Sequence, residues 1–239
     1  METASLILLI IFAFVSFVHL IGELLVDLGK DQFVLARFIT KPLLMPLLLA
    51  FFVSSLLNFS VYEVWFVIAL VFGFLGDVFL MIPDPEKKRF WLKLGLSAFL
   101  LGHISYIVAF IVNARGFVFW QWWGMFLALP FVGAASIAHP YITKNTGKMT
   151  KAVTAYIFAI CLMCISSTFL FLPGGLSNYQ LGAIILYLGA WLFAVSDLFN
   201  GIGKFVKKFR YERVVTMFTY ISSQLLIVLG FIIWLKGSL

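Results

Sequence analysis

Eight apolar segments, each about 20 residues long, make up most of this 239-residue sequence. They span residues 3–26, 38–57, 62–82, 91–114, 118–139, 151–172, 179–200 and 213–235. A helix of this length crosses the hydrocarbon core of a bilayer, whereas a transmembrane β-strand is about half as long and alternates in polarity. The segments do not alternate, so we predict an all-α fold, a polytopic transmembrane bundle of eight helices.

The composition excludes the other common classes of protein. Hydrophobic residues make up 63% of the chain and charged residues 11%, far from the roughly 45–50% and 25% of a soluble domain. The connections between the apolar segments are short and leave no room for a water-soluble domain. We therefore predict a single transmembrane domain over residues 1–239.

Basic residues are distributed unevenly between the two sides of the predicted bundle. All 17 Lys and Arg residues except Arg115 and Lys236 lie in or beside the connections that follow helices 1, 3, 5 and 7. Because Lys and Arg concentrate in cytoplasmic loops, this side is predicted to be cytoplasmic and both termini to lie outside the cytoplasm. Orientation thus accounts for the net charge of +7 without a nucleic-acid partner. In a bacterium the chain would be a multi-pass protein of the inner membrane.

Two aspartates lie at similar depths inside predicted helices 3 and 7. Asp77 and Asp197 are each within about two turns of the cytoplasmic end of their helix. An ionisable side chain inside a membrane helix costs several kcal/mol, so such residues are usually paired and functional. The pair indicates a catalytic or transport site. The alternative is that each aspartate reaches the interface, or pairs with Lys41 or Lys204 as a structural contact.

Further polar side chains lie one or two turns from these aspartates or deep in the next helix. They are Asn200 and Lys204 after Asp197, His103 and Tyr106 on helix 4, and Tyr220 and Gln224 on helix 8. We predict that the two carboxyl groups converge and that these side chains line the same cavity. The similarity of helices 3–4 to helices 7–8 also suggests a parallel 4+4 internal repeat.

Helix 1 carries a second set of ionisable residues. His19, Glu23 and Asp27 follow one another at i, i+4 and i+8, which places them on one face of the helix. Glu23 and Asp27 lie near the predicted cytoplasmic end of the helix. We therefore interpret this face as solvated.

Several short motifs, in this order and spacing, resemble the YhhN-like lysoplasmalogenase family of membrane proteins over helices 2 to 8. They are Lys41-Pro42, Gly76-Asp77, His103 with Tyr106, Ser196-Asp197 followed by Lys204-Phe205, and Thr219-Tyr220 with Gln224. The resemblance implies a hydrolase that cleaves the vinyl-ether bond of lysoplasmalogens. The products would be a fatty aldehyde and glycerophospho-ethanolamine or -choline. The family's two acidic positions correspond to Asp77 and Asp197.

Vinyl-ether chemistry agrees with that implication. The bond is stable to base and labile to acid, so cleavage needs one carboxylic acid to protonate carbon and one carboxylate to assist the cation or water. No metal or organic cofactor is required. A lyso-lipid could enter from the bilayer, with its phosphate near Lys41 and Lys204 at the basic rim. A proton-coupled small-molecule or lipid transporter and a non-catalytic lipid sensor remain alternatives.

Overall fold

The computed structural model describes residues 3–56, 59–83, 89–114, 124–171 and 178–237. Throughout these ranges the long elements are helices, no β-strand is formed, and eight helices are long and apolar enough to cross a membrane. The predicted all-α fold with eight membrane helices is confirmed. The bounds are α1 Thr3–Asp27, α2 Val34–Ser54, α3 Val64–Met81, α4 Phe90–Asn113, α5 Gly124–Thr143, α6 Thr150–Ser167, α7 Asn178–Gly201 and α8 Glu212–Gly237.

The helix ends differ from the predicted segments by a few residues. The predicted segment 118–139 ends before Pro140, whereas α5 continues through Pro140 to Thr143. The predicted end is wrong because membrane helices tolerate interior prolines. The expected start of helix 5 at residue 118 lies outside the described residues. At the C-terminal end of α7, the chain continues from Gly201 into a π-helical turn, Ile202–Val206.

The chain forms two compact units, Met1–Tyr106 and Ile107–Leu239, and the boundary falls within α4. We refer to them as the N-terminal and C-terminal units and describe each by itself. The single domain over residues 1–239 and the 4+4 repeat stay predictions.

In the N-terminal unit, a tight turn folds α2 back along α1. Gly29 adopts a positive φ of 82°, a conformation that glycine reaches without steric cost. The N–H of Lys30 then donates to the carbonyl of Leu25 at 2.9 Å, which closes the end of α1. The turn brings the first turns of α2 beside the last turns of α1.

Small residues set the register of α3 against α4. A Cβ added at Gly102 would lie 3.3 Å from the carbonyl oxygen of Ala69, so the two backbones approach closely there. Two turns along α3, a Cβ at Gly76 would lie 2.6 Å from the ring of Phe99. Glycines at these positions allow the close helix packing that is common between membrane helices.

In the C-terminal unit, α7 packs on α8 through glycines of both helices. A Cβ at Gly189 would lie 2.8 Å from the backbone nitrogen of Ile227, and a Cβ at Gly230 would lie 2.5 Å from that of Leu186. These contacts fix an antiparallel register in which the end of α7 lies beside the start of α8. The register places Asp197 and the polar residues of α8 within one pair of helices.

Large apolar side chains cover much of the outer surface, whereas many polar side chains lie inside. Phe14 and Phe17 of α1 are 67% and 63% exposed, and Phe126 of α5 is 64% exposed. Ser16 of α1, in contrast, is buried. This inverted distribution is the one expected of helices surrounded by lipid. The chain is an integral, multi-pass membrane protein.

Candidate functional site

Asp77 lies in a buried ion pair in the N-terminal unit. Asp77 is 2% exposed, and its Oδ1 atom lies 3.3 Å from the Nζ atom of Lys41. Lys41 is 7% exposed. Pairing with Lys41, raised above as an alternative, is confirmed. A buried pair of this kind is a strong local constraint, because removing one partner leaves a buried charge without compensation.

The position of Lys41 follows from the helical periodicity of α2. The buried residues Leu44, Met45 and Leu48 follow Lys41 at i+3, i+4 and i+7, so all four lie on one face of the helix. Lys41 therefore begins the inward face of α2, and its ammonium group points into the protein rather than toward the rim. The pair joins α2 to α3.

His103 and Tyr106 are buried on α4, deeper in the membrane than Asp77. The backbone next to His103 lies against the carbonyl of Ala69 on α3, and the ring of Tyr106 contacts the ring of Phe66 at 5.2 Å, edge to face. Ala69 and Phe66 precede Asp77 by about two and three helical turns. Both side chains therefore lie on the helix pair that carries Asp77, about two to three turns further in.

Asp197 has a different partner in the C-terminal unit. Its residue is half-buried, and the hydroxyl group of Tyr156 on α6 donates a hydrogen bond to its Oδ2 atom at 2.9 Å. The preceding residue, Ser196, donates to the carbonyl of Thr216 on α8 at 3.0 Å. These bonds join the end of α7 to α6 and α8. A neutral hydroxyl group is thus a partner of this carboxyl.

Tyr220 and Gln224 are buried on α8, Tyr220 at the level of Asp197 and Gln224 about one turn deeper. The ring of Tyr220 contacts the ring of Phe193 at 5.9 Å, and Phe193 precedes Asp197 by one turn of α7. Both units therefore carry an aspartate near the basic end of one helix and buried polar residues at its level or deeper on the next.

Asn200 and Lys204 lie where α7 becomes irregular. Asn200 is half-buried in the last turn of the α-helix, and Lys204 is exposed in the π-helical turn. On a regular α-helix, Lys204 would lie on the same face as Asp197, because seven residues make about two turns. The wider π turn changes that register, because its hydrogen bonds close over five residues instead of four. Such turns are frequent at functional sites.

The interpretation of the face of His19, Glu23 and Asp27 as solvated is wrong for His19 and Glu23, whereas Asp27 is partly exposed. His19 and Glu23 are buried, at 1% and 0% exposure. Glu23 Oε1 lies 2.8 Å from Nε of Arg37 and 3.5 Å from Nε2 of His19, and the His19 ring is 2.8 Å from the hydroxyl group of Thr40. Partners on α2 hold these groups inside the protein, which position along helix 1 alone does not reveal.

Tyr156 and Arg37 are polar partners that the sequence pattern does not single out. Tyr156 is six residues from the start of α6 and Asp197 is four residues from the end of α7, so both lie about two turns or less from the basic side. This similar depth is the feature of the sequence that could have indicated Tyr156 as a partner of Asp197. In the sequence, Arg37 counts only as a charge that sets orientation. The two aspartates belong to different units, and their convergence stays a prediction.

The fold and these buried groups define a multi-pass membrane protein that holds carboxyl groups inside its helices. The sequence model of the YhhN family matches residues 36–231, which are most of the chain. This chain belongs to the YhhN family.

Three known proteins are similar in sequence. Those named "Lysoplasmalogenase" from Mycobacterium bovis and Mycobacterium tuberculosis are each 30% identical over 190 residues, covering 70% of this chain and 60% of theirs. "Lysoplasmalogenase TMEM86A" from Bos taurus is 28% identical over 165 residues, covering 68% of this chain and 63% of its own. The chain thus spans less than two thirds of the length of these relatives. No solved structure matches it.

Proposed function

We propose that this chain is an integral membrane hydrolase that cleaves the vinyl-ether bond of lysoplasmalogen-type lyso-lipids. The products are a fatty aldehyde and a glycerophospho head group. The observation that carries the proposal is a pair of carboxyl groups inside membrane helices, Asp77 and Asp197, with different partners. The names of the relatives support this activity over transport.

The two environments suit two different tasks. An ion pair uses a carboxylate as a charge, and Asp77 lies against the ammonium group of Lys41. A carboxyl group can accept a hydrogen bond from a neutral hydroxyl group in either protonation state, as Asp197 can from Tyr156. We assign Asp197 as the proton donor and Asp77 as the carboxylate that activates water.

The reaction balances with these two groups and one water molecule. Asp197 gives its proton to the β-carbon of the vinyl ether, which leaves an oxocarbenium ion. Water adds to that cation and gives a proton to Asp77, forming a hemiacetal. The hemiacetal hydroxyl group returns a proton to Asp197 while Asp77 protonates the departing glycerol oxygen, and the C–O bond breaks. Both carboxyl groups regain their starting states, and no cofactor takes part.

The remaining polar residues have proposed roles in substrate binding. Tyr220 lies level with Asp197, and His103, Tyr106 and Gln224 lie deeper. There these side chains would contact the part of the substrate nearest the alkenyl chain. Asn200 and Lys204 lie toward the basic end of α7, where the head group belongs. Lys41 forms an ion pair with Asp77, so Lys41 would contact only the part of the substrate that lies beside that carboxylate.

The activity is tested with purified protein in detergent and three lyso-lipids that differ only at the first glycerol carbon. A vinyl-ether lyso-lipid is expected to release aldehyde. The saturated-ether and the ester analogues are expected to release none, because neither forms an oxocarbenium ion on protonation at carbon. Well-folded protein that leaves the vinyl ether intact would contradict the proposal and favour a transporter.

The proposed orientation places both termini outside the cytoplasm, in the inner membrane if the host is bacterial. It is supported by the uneven distribution of Lys and Arg. A Lys207→Cys variant, with Cys161 and Cys164 replaced by Ala, is expected to react with an impermeant thiol reagent only from the cytoplasmic side. A Thr3→Cys variant serves as the control for the opposite side. Labelling of position 207 from outside would reverse the orientation.

A further inference from the structure

We propose that Arg37 binds the phosphate group of the lyso-lipid substrate. This inference rests on the hydrolase function proposed above and adds the residue that recognises the phosphate. It places the phosphate in the N-terminal unit, on the first turn of α2. The ion pair that Arg37 forms with Glu23 is its starting point.

Glu23 forms an ion pair with one edge of the Arg37 guanidinium group. The Nε atom of Arg37 is buried and lies 2.8 Å from Oε1 of Glu23, while the side chain as a whole is 26% exposed. Within the described residues, Arg37 forms no other ion pair or hydrogen bond through its side chain. A guanidinium group has five N–H donors, and four of them are on the two terminal nitrogens. The terminal fork therefore remains available for an anion.

The cluster around Glu23 holds this fork in place. Glu23 also lies 3.5 Å from His19, whose ring is bonded to Thr40 at 2.8 Å. Thr40 in turn donates to the carbonyl of Ala36 at 2.8 Å. The partner of Arg37 on α1 thus belongs to a set of contacts that joins α1 to α2. A preorganised arginine loses less side-chain entropy when it binds an anion than a mobile surface residue does.

The distance from Arg37 to the Asp77 ion pair fits the substrate. Arg37 and Lys41 are four residues apart on one face of α2, a separation of about one helical turn or 6 Å. Lys41 lies against Asp77. In a lyso-lipid, the three-carbon glycerol backbone separates the ether oxygen from the phosphate, a span comparable to that turn. A vinyl ether held at Asp77 would therefore place its phosphate near Arg37.

Arg37 suits the phosphate better than Lys41 does. Lys41 is buried and paired with Asp77, so drawing it toward a phosphate would leave the carboxylate without its partner. Arg37 already has its buried edge compensated by Glu23. A planar guanidinium group also binds phosphate with two parallel hydrogen bonds, which a lysine ammonium cannot do.

The test compares substrates with and without phosphate, using a variant that leaves no buried charge without its partner. Replacing Arg37 alone would leave Glu23 buried and uncompensated, so the variant is Glu23→Gln combined with Arg37→Gln. The substrates are 1-alkenyl-glycerophosphoethanolamine and 1-alkenyl-glycerol. We expect the KM for the phosphate substrate to rise at least ~10-fold, with kcat changing less than ~3-fold and the KM for the glycerol substrate unchanged. Equal changes for both substrates, or none, would overturn the proposal.

Two controls distinguish a direct contact at Arg37 from an effect of the ion pair and from diffuse attraction. Glu23→Gln alone retains Arg37 and is expected to retain the preference for phosphate. If it loses that preference as fully as the double variant does, the ion pair and not an Arg37 contact is responsible. Lys30→Gln removes an exposed basic residue from the same connection and is expected to change neither KM. An equal loss in Lys30→Gln would indicate diffuse attraction and contradict a site at Arg37.

A binding measurement keeps this inference separate from the proposed chemistry. The saturated-ether lysophosphoethanolamine has no vinyl bond, so its affinity reports recognition without turnover. We expect it to bind the double variant at least ~10-fold more weakly than the unmodified protein, while 1-alkyl-glycerol binds both equally. Protein without hydrolase activity that still shows this difference would refute the proposed function alone. Protein with hydrolase activity that lacks the difference would refute the phosphate site alone.

Discussion

Asp77 and Asp197 are the same residue type at similar depths on two helices, yet their surroundings differ. Asp77 is 2% exposed and lies 3.3 Å from an ammonium group, whereas Asp197 is half-buried and accepts a hydrogen bond from a phenol. Depth in the membrane alone therefore does not fix the surroundings of a carboxyl group. We propose that the partner sets the role, because an ammonium group favours a carboxylate while a hydroxyl group also accommodates a carboxylic acid.

The two partners nevertheless occupy comparable places in the chain. Lys41 lies on α2, the helix that precedes the helix of Asp77, and Tyr156 lies on α6, the helix that precedes that of Asp197. This agrees with the hypothesis of a parallel 4+4 repeat, in which α2 would correspond to α6 and α3 to α7. Divergence of the partner residue would then have given the two halves different chemical roles.

The largest expected effect comes from removing either carboxyl group. Asp77→Asn and Asp197→Asn should each lower aldehyde release by ~10²–10⁴-fold, because an amide neither donates a proton at useful pH nor carries a negative charge. Asp31→Asn, at an exposed position in the connection before α2, is the matched control and should retain activity. Turnover is measured on variants whose gel-filtration profile in detergent matches that of the unmodified protein. Near-normal activity in either variant would remove that carboxyl from the mechanism.

The next largest effect is on the free energy of unfolding, and it is expected to differ between the partner of Asp77 and the partner of Asp197. Lys41→Met should lower the free energy of unfolding by about 3–5 kcal/mol, because it leaves the charge of Asp77 buried without compensation. Tyr156→Phe should lower it by only about 0.5–1.5 kcal/mol, since Asp197 is half-buried and loses one hydrogen bond. Denaturation in detergent compares the variants. Combining Lys41→Met with Asp77→Asn should recover most of the loss, and equal losses in the two single variants would erase the proposed difference.

The smallest effect tests whether Tyr156 positions Asp197. Tyr156→Phe should lower kcat by roughly 3–10-fold with little change in KM, because Tyr156 contacts the carboxyl group rather than the substrate. In an Asp197→Asn background the same change should have no further effect. Tyr187→Phe is the control, since its hydroxyl group donates to the carbonyl of Leu127 at 3.0 Å in the same unit. Additive losses in the double variant would mean that Tyr156 acts independently of Asp197.

The sequence predicts the helices and the two aspartates, and it offers Lys41 as one alternative partner, but it does not single out Tyr156. Hydropathy marks which segments lie in the membrane, and the cost of burying charge singles out Asp77 and Asp197. Neither indicates which face of one helix meets another. From its place near the end of helix 2, Lys41 is expected to bind a phosphate group. Its side chain instead lies on the buried face of α2, against Asp77.

Two other differences have local causes. Glu23 is expected in water because it lies near a helix end, but the turn at Gly29 brings Arg37 beside it and allows it to be buried. The π turn after Gly201 changes the position of Lys204, and nothing in the residue pattern marks that turn. Contacts between helices and irregular turns depend on packing, which a pattern along a single helix does not contain.

The most direct test of the central claim is the fate of water atoms during turnover. We propose that cleavage begins with protonation of the β-carbon and ends with water on the other vinyl carbon. In deuterium oxide enriched in ¹⁸O, the aldehyde should carry one deuterium on the carbon next to its carbonyl group, and the glycerophospho product should contain no ¹⁸O. Unlabelled aldehyde incubated under the same conditions corrects for exchange. A glycerol product that contains ¹⁸O, or an aldehyde without deuterium, would contradict the proposed mechanism.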